Sequence, residues 1–144
     1  DVDPASCLEA QRTVRATLWF SESEDGTACE WFGNVFCNPP YNNVASFVNA
    51  GLDQMVKGHA KQIIFLLKPA PDTAYFQAIA RDASICLVNH RIRFVFPEAE
   101  VERRRQAGKK VESPPHGNVF LYLGHESGHE RFKQVFSTIG IVKR

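Results

Sequence analysis

With 144 residues, of which 44% are hydrophobic and 23% are charged, the chain is long enough to form one domain with a buried core. Its net charge of +1 gives no support for strong non-specific binding to nucleic acid, and its longest apolar run, residues 63–67, is too short to cross a membrane. The four cysteines lack the paired spacing of a zinc site or a disulfide framework, which favours reduced thiols in a cytoplasmic protein.

The first third of the chain alternates between helix and strand signals. Ser6 and Glu9 have the spacing of a capping box, which predicts that a short helix begins there. Residues 14–20 are rich in β-prone side chains and predict a strand. Asp25 and Gly26 then mark a turn.

The most informative stretch is residues 35–41, where the apolar end of a strand is followed by Asn38, Pro39, Pro40 and Tyr41. Proline lacks an amide hydrogen and has a fixed φ, so the tandem prolines end the strand and stiffen the loop. The loop would hold an amide, a backbone carbonyl and an aromatic ring at the carboxyl end of a strand, where open α/β sheets bind ligands.

This arrangement suits methyl transfer to a nitrogen whose lone pair is delocalised, such as the exocyclic amine of adenine. The oxygens of the Asn38 side chain and the Pro39 carbonyl can each accept one amine hydrogen, which localises the lone pair, and Tyr41 can stack on a flipped base. Positioning and electrostatics then carry the catalysis, without a metal. The alternative is that Asn38 is an ordinary turn residue in a proline-rich loop.

The middle of the chain predicts a strand–helix–strand unit. Apolar residues recur at helical spacing over residues 44–56, and Gly58 is placed to end that helix. Residues 63–67 have the unbroken apolar character of a strand buried on both faces of a parallel sheet. A helix after Asp72 and a strand at residues 84–88 continue the alternation.

The last third mixes strands with a polar insertion. Residues 91–96 alternate between polar and apolar side chains and predict a strand, as do residues 118–123, before a last helix that ends at Gly140. Residues 97–117 have no apolar period and predict a long polar loop, which is either functional or flexible. Its basic residues, which either contact a DNA backbone or are simply solvated, are Arg103, Arg104, Arg105, Lys109 and Lys110.

Together these elements predict a three-layer α/β fold with a mainly parallel sheet, whose antiparallel edge comes from residues 84–88, 91–96 and 118–123. We expect residues 1–144 to form a single domain. Because the chain starts at Asp1 and its only methionine is Met55, we also expect an upstream segment to be missing.

The tetrapeptide at residues 38–41 resembles the amine-methyltransferase motif of S-adenosylmethionine-dependent enzymes. The segments at residues 31–37, 66–76, 91–94 and 113–118 are similar to those of the phage-type DNA N-6-adenine methyltransferases. This resemblance covers most of residues 1–123. It implies a Rossmann-like domain that methylates adenine in double-stranded DNA with S-adenosyl-L-methionine, in a bacterium or a phage-infected host cell.

The resemblance also implies roles for individual residues. The catalytic residues would be Asn38, Pro39, Pro40 and Tyr41. The cofactor contacts would be Asn38 and three carboxylates, those of Asp1, Asp3 and Asp25. The resemblance includes Arg91, which would contact a DNA phosphate. The same role for the five basic residues of the polar loop is suggested by their charge alone, and no metal site is expected. The glycine-rich turn that follows the first strand in most methyltransferases is absent from this sequence.

Two other functions remain open at this stage. The same loop occurs in enzymes that methylate RNA bases or protein glutamine side chains, because an amide nitrogen has a similarly delocalised lone pair. The chain could also be a non-catalytic nucleic-acid-binding remnant of a mobile element.

Overall fold

The computed structural model describes residues 1–112 and 115–144. Its strands are β1 (Val2–Asp3), β2 (Leu18–Trp19), β3 (Gly33–Cys37), β4 (Ala60–Leu67), β5 (Ser84–Val88), β6 (Val119–Leu123) and β7 (Gly140–Lys143). Its helices are α1 (Leu8–Val14), α2 (Val44–Val56), α3 (Ala74–Ala80), α4 (Glu98–Gln106) and α5 (Glu126–Phe136). The strands form one sheet in the order β2-β1-β3-β4-β6-β5-β7.

The sheet has a parallel half and an antiparallel half. β1 pairs in parallel with both β2 and β3, and β3 pairs in parallel with β4. β6 runs antiparallel to β4 and β5, and β7 runs antiparallel to β5. β1 lies between β2 and β3, so the chain leaves β1 toward one edge of the sheet and leaves β3 toward the other. These opposite connections leave a crevice at the carboxyl ends of β1 and β3.

Apolar side chains pack on both faces of the sheet. Side chains alternate along a strand, so Phe65 of β4 joins a cluster with Phe47 of α2 and Ile79 of α3. The neighbouring Ile64 joins a second cluster with Phe132 of α5 on the opposite face. Helices therefore cover both faces, which confirms the mixed α/β fold.

The predicted polar loop at residues 97–117 was wrong in its first half, because residues 98–106 form helix α4. No apolar period could indicate this helix, since none of its residues, all of which the structure describes, is buried. Its first turn carries Glu98 and Glu100 and its last turn carries three arginines, a distribution that complements the helix dipole. Glu100 also accepts hydrogen bonds from Arg103 and Arg104 one turn later.

The predicted strand at residues 91–96 was also wrong. The segment pairs with no other strand in the described part of the chain, although its arginines are exposed and Ile92, Phe94 and Phe96 are half-buried, as the alternation indicated. The last helix ends at Phe136, before Gly140, and the chain returns as β7 to pair with β5. A Cβ at Gly140 would lie 2.3 Å from the Leu87 carbonyl oxygen, so this close strand approach requires glycine.

Smaller differences occur near the start of the chain. The N-cap of α1 is Cys7, and Ser6 instead accepts a hydrogen bond from Gln11 Nε2 at 2.7 Å. The strand predicted over residues 14–20 is confined to Leu18–Trp19.

Three further properties of the described residues bear on function. None of the helices is long and apolar enough to cross a lipid bilayer. Within residues 1–112 and 115–144, no three His, Cys, Asp or Glu side chains come together as metal ligands would. All four cysteines are free thiols, and Cys37 and Cys86 are buried.

Candidate active site

A cavity of about 350 Å³ lies at the divergence point between β1 and β3. We call it the switch-point cavity. Its wall consists of residues 4–6 after β1, residues 21, 22, 25 and 26 after β2, and, after β3, Asn38 and Pro40 with the start of α2. Gly26 fits there only because it has no side chain, since a Cβ would lie 1.8 Å from the Pro4 carbonyl oxygen.

A second, more open cavity of about 590 Å³ adjoins the first, and we call it the outer groove. It shares Asn38 and Pro40 with the switch-point cavity. Its other lining residues are Pro39, Tyr41, Phe94, Val95, Phe96, Arg104, Lys110, Glu112, Pro115 and His116. Two molecules that bind in the two cavities would therefore meet at Asn38.

The position of Asn38 follows from its strand. β3 is hydrogen-bonded on both sides, and its last residue, Cys37, is completely buried. The buried Pro39 then ends the ladder, and the exposed Pro40 turns the chain. The Pro40 carbonyl accepts a hydrogen bond from Asn43 N–H at 2.9 Å, which connects the loop to the start of α2.

Neither of the two acceptors predicted for the loop is occupied by a donor from the described part of the chain. Among the described residues, none donates a hydrogen bond to the Asn38 carboxamide or to the Pro39 carbonyl. The Pro40 carbonyl, in contrast, is already occupied by the bond from Asn43. The loop therefore presents two neighbouring oxygens that need partners, at the point where the cavities join.

Tyr41 presents an aromatic ring to the outer groove. Its side chain is half exposed, and the His116 ring packs edge-on against it, with 4.9 Å between ring centroids and 87° between planes. Burial raises the pKa of Tyr41, against the opposing effect of a hydrogen bond with the Asn118 side chain. The phenol is therefore neutral.

A family model for DNA N-6-adenine-methyltransferase (Dam) matches residues 7–116, which include the Asn38 loop, the lining of the outer groove and the part of the switch-point cavity wall that follows β2 and β3. The chain belongs to this family. No curated protein sequence matches the chain at a significant level. Membership in the Dam family establishes the class of the protein as that of DNA adenine methyltransferases.

The three carboxylates that were expected to contact the cofactor lie in different places relative to the switch-point cavity. Asp25 lines the switch-point cavity, where its Oδ1 accepts a hydrogen bond from Thr27 Oγ1 at 2.6 Å. Asp1 does not reach the cavity. It precedes β1, at the amino edge of the parallel strands, and its Oδ2 accepts a hydrogen bond from Asn34 N–H at 2.9 Å.

Asp3 lies beneath the cavity without lining it. Its carboxylate is buried and accepts hydrogen bonds from Gln11 Nε2 at 2.9 Å and from Ala5 N–H at 3.4 Å. Burial raises the pKa of Asp3, and these hydrogen bonds partly offset that rise. Asp3 therefore supports the segment at residues 4–6, which forms the wall of the cavity.

Five polar residues line the switch-point cavity that were not predicted as site residues: Ser6, Ser21, Glu22, Asn42 and Asn43. Glu22 lies three residues after the end of β2 and about 20 residues after the end of β1, which is the position of the ribose-binding acid in dinucleotide-binding folds. That spacing was a usable signal. The glycine-rich turn that usually accompanies this acid is absent, and β2 itself is only two residues long.

Only some of the predicted DNA contacts lie near Asn38. Arg104 and Lys110 line the outer groove, whereas Arg91 lines a neighbouring cavity with Arg93. Arg103 and Lys109 border a separate hollow on α4, and Arg105 is exposed on the same helix. In the segment at residues 113–118 that carried part of the resemblance, Ser113 and Pro114 lie outside the described residues.

Glu100 orients two of these arginines. It accepts a hydrogen bond from Arg104 Nε at 2.6 Å and from Arg103 Nε at 2.8 Å, and both bonds lower the pKa of Glu100. Arg104 also lies over the Phe96 ring, with its guanidinium carbon 4.4 Å from the ring centroid. Helix α4 is therefore connected to the wall of the outer groove through Arg104.

Proposed function

We propose that this protein transfers a methyl group from S-adenosyl-L-methionine to the exocyclic amine of an adenine flipped out of double-stranded DNA. The observation that carries the proposal is the position of Asn38, whose carboxamide lies without a described partner where the switch-point cavity meets the outer groove. Membership in the Dam family supports the same class of reaction.

The residues of the switch-point cavity suit the cofactor. A volume of about 350 Å³ is in the range of small-molecule sites, and the wall combines hydroxyl, amide and carboxylate groups with the apolar ring of Phe47. Glu22 would accept hydrogen bonds from the ribose hydroxyls, and Asp25 would contact the adenine ring. When bound there, S-adenosyl-L-methionine supplies an electrophilic methyl group.

The outer groove would hold the target base. Asn38 Oδ1 and the Pro39 carbonyl would each accept one hydrogen of the amine, which removes its lone pair from conjugation with the ring. The ring of Tyr41 would stack on the base, an interaction that contributes about 1–3 kcal/mol in comparable complexes. Pro40 makes these positions rigid, so little reorganisation is needed when the base arrives.

The basic residues around the groove would bind the phosphates of the DNA. Arg104 and Lys110 lie at the groove itself, and Arg91, Arg103, Arg105 and Lys109 would extend the contact along the backbone. Such contacts position the duplex and carry little sequence information.

The test is methyl incorporation into DNA by the wild-type chain and by Asn38→Ala under single-turnover conditions. We expect the substitution to slow the transfer by about 10²–10³-fold, equivalent to about 2.7–4 kcal/mol, as for other preorganised catalytic hydrogen bonds. Asn49→Ala is the matched control, because Asn49 is an exposed residue of α2. Equal rates for Asn38→Ala and the wild type would contradict the proposal.

RNA and a glutamine-containing protein should be assayed beside the DNA. Methylation of either one in preference to DNA would assign the same chemistry to a different substrate. Calorimetry with S-adenosyl-L-methionine tests the non-catalytic alternative, since a remnant that has lost its activity would show no cofactor binding.

A further inference from the structure

The loop at residues 38–41 has no group that can take up a proton at neutral pH. The amine has two hydrogens before methyl transfer and one afterwards, so one proton must leave the nitrogen. The Asn38 amide oxygen and the Pro39 carbonyl oxygen accept hydrogen bonds but are too weakly basic to hold that proton at neutral pH. A proton acceptor must therefore come from elsewhere in the outer groove or from solvent.

His116 is placed to act as that acceptor. It is half-buried, it lines the outer groove together with Asn38, and its ring lies edge-on to Tyr41 at 4.9 Å between centroids. A base stacked on Tyr41 would therefore lie beside the imidazole. Imidazole is the side chain whose ordinary basicity suits proton uptake near neutral pH.

The other titratable groups of the groove are less suitable. Arg104 and Lys110 are cations and have no lone pair to offer. Glu112 is largely exposed, and its carboxylate is paired with the Lys110 ammonium at 3.7 Å. Tyr41 is a neutral phenol.

A hydrogen bond selects the ring nitrogen of His116 that can accept the proton. Nδ1 lies 3.0 Å from the carbonyl oxygen of Gly117. A carbonyl oxygen can only accept, so Nδ1 carries the hydrogen in the neutral ring, and the lone pair is on Nε2.

We propose that His116 is a catalytic residue whose Nε2 accepts the proton that the adenine amine loses on methylation; this inference rests on the proposed function. In the balanced step, the amine nitrogen bonds the methyl carbon, and the carbon–sulfur bond of the sulfonium donor breaks with its electron pair on sulfur. The N–H bond then breaks, the electron pair stays on nitrogen, and the proton bonds to Nε2. His116 leaves the step as imidazolium and returns the proton to solvent.

The experiment compares the wild type with His116→Phe, which keeps an aromatic ring against Tyr41 but cannot accept a proton. His59→Phe is the matched control, since His59 is exposed at the amino edge of β4. In single turnovers, we expect the wild-type rate to fall toward acidic pH, by about tenfold per pH unit on the acidic limb, as for any reaction that needs a general base. The His116→Phe rate should be about 10²-fold lower at neutral pH and lack that acidic limb.

A second readout does not depend on activity. The ring ¹⁵N shifts of His116 in the protein without cofactor should show the neutral form with hydrogen on Nδ1, and a hydrogen on Nε2 would overturn the inference. Equal pH–rate profiles for His116→Phe and the wild type would also overturn it. If those profiles are equal while Asn38→Ala is inactive, only the role of His116 fails; if Asn38→Ala is fully active, the proposed function itself fails.

Discussion

The loop at residues 38–41 and helix α4 both border the outer groove, but they are held in place by different forces. The loop continues from β3, whose residues Val35 and Cys37 are buried between two neighbouring strands. Helix α4 has no buried residue along its described length and is held by side-chain contacts of Glu100 and Arg104. Burial and covalent rigidity therefore position the loop, whereas exposed charges position the helix.

This difference matches the roles proposed for the two regions. Methyl transfer requires acceptor atoms that keep their positions, and a proline loop on a buried strand meets that need. Contact with a DNA backbone requires charge more than exact placement, and an exposed basic helix can adjust to the phosphates. Substitutions should therefore act on stability and chemistry in the first region and on DNA affinity in the second.

The largest effect is expected from the packing beneath the loop. Phe65 of β4 is completely buried and pairs in register with Cys37, the residue before Asn38. Phe65→Ala should lower the free energy of unfolding by about 3–5 kcal/mol, as measured by urea denaturation. Val95→Ala, at a residue that is 90% exposed beside α4, should change it by less than about 0.5 kcal/mol. Equal losses of unfolding free energy in the two variants would show that the loop and the region beside α4 are held in place in the same way.

An intermediate effect is expected from the cations of α4 and its C-terminal end. Arg105 and Lys109 form no ion pair within the described chain, so both are free to bind phosphate. Replacing both with alanine should reduce the slope of log affinity for DNA against log salt concentration by about 1.8, or about 0.9 for each contact. The methylation rate at saturating DNA should not change.

Lys61→Ala provides the control for this measurement, because Lys61 is exposed at the amino edge of β4, away from the groove. Its salt slope should equal that of the wild type. A slope that is unchanged in the double variant would remove α4 from the DNA interface.

The smallest effect is a pair of opposite pH responses. Hydrogen bonds from Arg104 and Arg103 lower the pKa of Glu100 below its ordinary 4.5. The stability that Glu100 contributes to α4 is therefore present above that value and is lost as the pH falls through the folded-state pKa. Burial raises the pKa of Asp3 above its ordinary 3.8. The folding stability that comes from this shift is therefore present below that value and is lost as the pH rises through the folded-state pKa.

Carboxyl ¹³C shifts followed through an acid titration measure both responses. The midpoint should lie above 3.8 for Asp3 and below 4.5 for Glu100, and amide exchange in α4 should accelerate at the acidic end. Midpoints displaced in the same direction would contradict the distinction between a buried and an exposed carboxylate.

The elements that the sequence predicted well are those with local and redundant signals. The helix α2 was predicted at its observed bounds, because its apolar spacing and Gly58 agree with each other. Strand β5 was predicted at its observed bounds, and β4 was predicted in its buried part. The Asn38 loop was predicted because two prolines after an apolar strand leave the backbone few alternatives.

The sequence alone determined the α/β alternation and the tetrapeptide that carries the proposed chemistry, since both depend on the conformational preferences of neighbouring residues. Tertiary structure decided the remainder. It excluded residues 91–96 from the sheet, because β7 occupies the place beside β5. It also left Asp1 at the far edge of the strands and brought His116 against Tyr41. These outcomes depend on contacts between residues that are distant in the chain, and such contacts leave no periodic signal in the sequence.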